Sequence, residues 1–202
     1  MRRFLALVAA VTALILPLVG HAQTTDIAGV KFPNTVQVGN SKLLLNGAGI
    51  RYKIVFKVYA AALYLAERAS TPEAVLTAPG PRRLQIVMLR EIDANELGKL
   101  FTKGMEQNAP REEFSKSIAG ILRMSDIFSN HKKLMPGDSF ALEWLPGAGT
   151  VILVNGKQEG APIKEPEFYS ALMKIWFGKS PADAQLKEAL LGKTPAANSS
   201  YN

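Results

Sequence analysis

The sequence predicts an α+β fold in which helices are layered on an antiparallel sheet. Three observations carry that expectation. Strand-patterned and helix-patterned segments come in blocks, as strands, helices, strands, helices; turn dipeptides of the hairpin kind join the strands; and each helical segment carries its apolar residues along one stripe. A half-apolar sheet and striped helices bury those surfaces most simply by packing on one another.

The N-terminal half reads as strand. Thr35 to Val38 and Lys42 to Leu45 flank Gly39-Asn40, a dipeptide suited to a tight hairpin. A longer strand is expected from about Lys53 to Leu65, β-branched at first and alanine-rich later, as in a strand covered on both faces or closely approached by a ligand. Ser70-Thr71-Pro72 opens a short helix through Leu76, and Pro79-Gly80-Pro81 stops it. From Arg82 to Arg90 the pattern alternates, with Leu84, Ile86 and Met88 on one face. Asp93-Ala-Asn-Glu96 is a capping box, in which the aspartate oxygen and the reciprocal glutamate satisfy first-turn amides. The helix it starts carries Leu97, Leu100 and Phe101 and ends near Asn108-Ala109-Pro110; its successor is expected to bury Phe114, Ile118, Ile121 and Leu122, with Phe128 continuing the stripe. Strands return where Phe140, Leu142 and Trp144 alternate with Ser139, Ala141 and Glu143, and Thr150 to Val154 runs into Asn155-Gly156, the strongest short hairpin signal in the chain. Two helices close the pattern. One runs from about Glu165 with Phe168, Leu172, Ile175 and Trp176 on a stripe and stops at Phe177-Gly178; the other places Pro181 at an N1-like position and runs through Leu190-Leu191 to Gly192.

At the N-terminus, Arg2 and Arg3 precede an apolar run from Phe4 to about Val19 that closes with Gly20-His21-Ala22. That is the pattern of a secretory signal peptide over residues 1–22, with cleavage expected after Ala22. The run is shorter than the ~20 apolar residues a spanning helix wants, and Pro17 breaks it, so stable membrane insertion after processing is not expected. Residues 23–192 are then one domain, and 193–202, rich in Pro, Ala, Asn and Ser, a flexible tail. Export of a cysteine-free chain points to a bacterial periplasm, where a core of this size needs no disulfide. Loss of the two leader arginines takes the formal charge from +7 to +5. The remaining basic residues are scattered, with Arg82-Arg83 and Lys132-Lys133 the only adjacent pairs and no aromatic residues interleaved. This argues against a nucleic-acid partner and leaves small anions open.

The residue inventory removes much chemistry. Without cysteine there is no thiol nucleophile, and His131, the one histidine after processing, lies in a polar Ser129-Asn130-His131-Lys132-Lys133 connection that reads as a solvent-exposed loop. Metal sites would have to rely on carboxylates alone, and no metal is expected. No glycine-rich phosphate loop with its lysine is present, and Gly47-Ala48-Gly49 is not followed by a helix pattern, so no cofactor is expected either. Glu112-Glu113 and Glu165 with Glu167 fall at helix starts, where the helix dipole favours negative charge.

One residue resists a bland account. Arg51 follows Asn46-Gly47-Ala48-Gly49 inside a stretch otherwise fit for a buried strand. Along a continuous strand, Arg51 and Tyr59 would stand roughly 27 Å apart and could share no ligand. A reversal near Tyr52-Lys53 would instead let them converge. A structural guanidinium, paired or at a sheet rim, and a ligand-holding one both fit the residues.

The run Asn46-Gly47-Ala48-Gly49-Ile50-Arg51, then Phe56-Lys57-Val58-Tyr59 through Tyr64-Leu65, resembles the chalcone isomerase-like proteins, in particular their exported bacterial branch. Met88-Leu89-Arg90-Glu91-Ile92-Asp93, the Asn155-Gly156 hairpin, and the Phe168-Tyr169 to Phe177-Gly178 stretch with Leu186 to Gly192 fit the same branch. The resemblance spans about Phe32 to Gly192 and implies an open-faced β-sandwich, a large antiparallel sheet backed by helices. It implies one of two roles for Arg51: guiding a phenolate for ring closure, as in plant chalcone isomerases, or holding a carboxylate together with a tyrosine, as in fatty-acid-binding relatives. Tyr59 falls where the plant enzymes carry threonine and is similar to the binders. The catalytic tyrosine and asparagine of the plant enzymes have no match, since no tyrosine occurs between Tyr64 and Tyr169 and Asn95 and Asn108 do not align. The stretch from Arg51 to Tyr59 is also shorter than theirs. The expectation is therefore a noncatalytic binder of a small amphipathic anion such as a fatty acid, its tail in an apolar cleft between sheet and helices, with Arg51 and Tyr59 as ligand-binding residues and lesser roles for Lys57 or Arg90. An isomerase or intramolecular lyase, and an envelope interaction protein without ligand, are the alternatives.

Overall fold

A computed structural model describes residues 23–193. The expected signal peptide, and all of the expected 193–202 tail but Lys193, lie outside the described residues. In chain order the elements are β1 (Thr24–Ile27), β2 (Val30–Pro33), β3 (Thr35–Val38), β4 (Ser41–Lys53), β5 (Phe56–Leu65), α1 (Pro72–Thr77), β6 (Arg82–Met88), β7 (Ile92–Asp93), α2 (Ala94–Asn108), α3 (Arg111–Ser129), β8 (Lys133–Leu134), β9 (Ser139–Leu145), β10 (Gly149–Val154), β11 (Lys157–Ile163), α4 (Pro166–Phe177) and α5 (Ala184–Leu190). Seven of the strands form one antiparallel sheet in the order β11-β10-β9-β6-β5-β4-β3, β1 pairs with β2, and β7 with β8. Helices on one face of an antiparallel sheet make this an α+β fold, as the block order of the sequence predicts, and an open-faced β-sandwich, as the resemblance implies.

The apolar composition of β5 follows from its central place. Ala61, Leu63 and Leu65 face the helix layer with Leu84, Ile86 and Leu142. Ala60, Ala62 and Tyr64 face the other way, onto Leu43, Val38 and Phe32, the last of which brings the β1–β2 hairpin across the open face. On the helix side Phe101, Phe128, Phe140 and Trp176 interlock, with ring centroids 5.5 to 6.0 Å apart and mostly edge-to-face.

Local signals act where expected. The Asp93 carboxylate accepts the Glu96 amide at 2.9 Å and starts α2. Asn155 and Gly156 take φ of 48° and 79°, the left-handed pair that a two-residue hairpin requires.

Four expectations need correction. The long strand does not begin at Lys53: β4 ends there, Ile54-Val55 make the turn, and β5 starts at Phe56. Pro181 lies ahead of α5 rather than in its first turn, because Asp183 accepts the Leu186 amide and starts the helix after itself. Ile118 and Leu122 are exposed, since α3 turns Ser117, Gly120, Ile121 and Met124 inward instead. A Cβ on Gly120 would come within 2.6 Å of the Phe168 ring, so small residues set the buried side of α3 by letting α4 approach, and the larger apolar ones fall beside it. His131 sits in the connection as expected but is half-buried.

Candidate binding site at the rim of the sheet

The glycine-rich motif is a landing surface for α5. A Cβ on Gly47 would overlap the Ala189 carbonyl oxygen, and one on Gly49 would lie 2.6 Å from the Ala189 Cβ, so only glycine lets the helix cross β4 this closely. Asn46 completes the seat: its amide donates to the carbonyls of Ala69 (2.9 Å) and Leu190 (2.7 Å), and its oxygen accepts the Ala69 N–H at 2.7 Å. Packing α5 here delivers Asp183, whose second carboxylate oxygen accepts the Tyr52 N–H at 2.8 Å and clamps the end of β4.

Beyond the clamp, Lys53 pairs with Phe56 around the Ile54-Val55 turn. The reversal makes Arg51 and Tyr59 direct cross-strand partners, with a register irregularity between Arg51 and Tyr52. The two side chains meet: the Arg51 guanidinium carbon lies 5.6 Å from the Tyr59 ring centroid. Arg51 is half-buried, and its Nε is buried with no hydrogen-bond partner among the described residues. Tyr59 is 1% exposed, and its hydroxyl oxygen accepts the Trp176 indole N–H at 2.9 Å. Burial pushes the Tyr59 pKa up to about 12, against the lowering pull of Arg51 and of the Trp176 hydrogen bond and with a small push from Asp183. The phenol therefore keeps its proton, and no described residue accepts it.

A model of the chalcone isomerase-like family matches residues 24–192. The chain belongs to the chalcone isomerase-like family. Among solved structures, this chalcone isomerase-like chain is similar to the crystal structure of an Arabidopsis thaliana fatty-acid binding protein, at a TM-score of 0.65 and 15% identity over 84% of this chain and 96% of that one, a likeness of fold. A search of the curated proteins finds no match.

Arg51 opens onto a cavity of about 210 Å³ at the rim of the sheet, between the β4–β5 hairpin, the β6–α2 connection and the first turns of α2. Arg51, Lys53 and Arg90 bring positive charge to it; Val58, Ile92 and Leu100 supply its apolar wall. Three carboxylates also border it, but Glu91 is paired with Lys133 at 2.5 Å and Asp93 caps α2, leaving Glu96. Tyr59 supports Arg51 from beneath without lining the cavity, and Lys57 is exposed and does not line it. Sequence reasoning isolated Arg51 and Tyr59 and gave Arg90 a minor place. It missed Lys53, Val58, Ile92 and Leu100, although the alternation ending at Arg90 and the capping box at Asp93 already placed the β6–α2 connection at one end of a strand. The layer between sheet and helices, expected to hold an apolar tail, is filled by the interlocked rings; the open volume beside Arg51 is at the rim.

Proposed function

We propose that this is an exported chalcone isomerase-like protein that binds a small amphipathic anion such as a fatty acid, without catalysing a reaction. Arg51 carries the reading. A guanidinium that lines a cavity, stacks on a buried tyrosine and leaves its Nε without a partner is a cation held ready for an oxyanion, and a carboxylate meets it bidentately. Tyr59 keeps the guanidinium in place, and its phenol proton becomes a second donor only where the ligand reaches past Arg51 to the buried hydroxyl. Val58, Ile92 and Leu100 take the first methylenes of the tail. The cavity is below the roughly 300–1,000 Å³ usual for small-molecule sites, so longer chains require Leu100 and its neighbours to shift. The fold likeness to a fatty-acid binding protein and the absence of matches for the plant enzymes' catalytic tyrosine and asparagine support a binder over an isomerase. The basic, apolar N-terminal run supports export to a periplasm.

Native mass spectrometry of the protein purified from an exporting host tests the reading, with a co-purified fatty acid as the expected result. Delipidated protein should regain thermal stability on adding fatty acid, and Arg51→Ala should lose at least about tenfold in affinity while folding normally. Equal binding by Arg51→Ala removes Arg51 from the site. Turnover of a chalcone by the wild type and not by the variant replaces binding with isomerase chemistry.

A further inference from the structure

The two most exposed large apolar residues of the described chain are neighbours, Ile54 at 88% and Val55 at 75%, and Phe56 follows at 57%. They form the tip of the β4–β5 hairpin. Single exposed apolar side chains are ordinary on any surface, but three in succession at a turn are not.

The backbone sharpens the point. Ile54 has φ of 60°, a region that L residues avoid and β-branched ones avoid most. A two-residue hairpin turn favours Gly, Asn or Asp there, and the β10–β11 turn of this same chain uses Asn155-Gly156. At position 54 isoleucine gains nothing from burial and strains the backbone, so the fold does not account for it. Its charge surroundings are mostly basic. Lys53 and Lys57 flank the apolar residues, and the Arg90 guanidinium lies 5.1 Å from the Phe56 ring centroid. Of the nearby acids, Asp183 is engaged by the Tyr52 amide, Glu91 by Lys133 and Asp93 by the Glu96 amide, which leaves the Glu96 carboxylate against three cations.

We propose that this hairpin tip docks the protein on a bilayer containing anionic phospholipid, with Ile54, Val55 and Phe56 entering the boundary between headgroups and acyl chains while Lys53, Lys57 and Arg90 meet lipid phosphates. A convex apolar tip ringed by cations complements a surface that is anionic at headgroup level and apolar just beneath it. No described helix is long and apolar enough to cross a membrane, and this attachment needs none. The proposal stands whatever occupies the Arg51 cavity. That cavity nevertheless shares Lys53 and Arg90 with the tip, so docking sets its mouth against the lipid.

The test uses the processed protein from an exporting host. It should co-sediment with vesicles of phosphatidylcholine and phosphatidylglycerol in equal parts at low salt, and about tenfold less with phosphatidylcholine alone or at high salt. The double variant Ile54→Gly/Val55→Ser should lose about tenfold or more in partitioning with its thermal midpoint unchanged or raised, since glycine suits the left-handed backbone at 54. Because the chain has no cysteine, one environment-sensitive fluorophore can be placed at will. Attached at Val55→Cys it should shift to the blue on the anionic vesicles; attached at Glu67→Cys, past the other end of β5, it should not. No binding to anionic vesicles, undiminished binding by the double variant, or equal response at both positions overturns the proposal. A Val55 probe that responds to a protein fraction and not to vesicles overturns it too, in favour of a protein partner.

Discussion

Arg51 and Tyr59 show how one contact sets two properties. Tyr59 is held in a medium poor in water, where its hydroxyl satisfies the Trp176 indole and its ring supports a guanidinium. Removing the hydroxyl separates these roles. Tyr59→Phe keeps the ring under Arg51 but leaves the buried Trp176 N–H without an acceptor, and should cost about 1–3 kcal/mol in denaturant unfolding. If Tyr59 also donates to the ligand, the variant loses affinity beyond what its reduced stability explains.

At the scale of elements, the meeting of α5 with β4 organises the site. Gly47 and Gly49 let the helix in, Asn46 fastens both ends of the approach, and Asp183 at the head of α5 pins the backbone of Tyr52 next to Arg51. Asn46 is 5% exposed and makes three hydrogen bonds, two with Ala69 and one with Leu190. Asn46→Ala should therefore destabilise by roughly 2–4 kcal/mol, measured by denaturant unfolding, and should weaken ligand binding through the loosened clamp. Wild-type stability in that variant would mean that α5 holds its place without the asparagine.

The whole molecule carries a pH signature. Burial raises Tyr59 and Tyr64 to about 12 and pushes Tyr169 up as well, with the nearby Arg51, Arg83 and Arg82 pulling the other way. A raised folded pKa means that the unfolded chain loses its tyrosine protons first, from about pH 10. Stability from these groups is thus complete below pH 10 and falls as pH rises toward 12, so denaturation midpoints should be flat from neutral pH to about 9 and then drop steeply. Phenolate absorbance should appear for these three rings only as the fold is lost. Titration of all five tyrosines of the chain with the fold intact would show these three rings to be accessible.

The amino-acid sequence by itself determined the fold class, the order of the main strands and helices, and the start of α2 at Asp93, because periodicity, capping and Asn-Gly turns are read over a few neighbouring residues. It also removed thiol and phosphate-loop chemistry by composition alone. Only the tertiary structure decided that Ile54-Val55 is a turn, since both residues favour strand locally and the reversal is held by pairing of β4 with β5 and by Asp183 reaching Tyr52 from 131 residues away. The same holds for Ile118 and Leu122, which share the helical period of the core but lie outside it because the close approach at Gly120 sets how α3 is turned. Arg51 beside Tyr59 belongs with these: a short-range pattern fixes which element a residue joins, and what the residue then faces is settled by contacts between segments far apart in the chain.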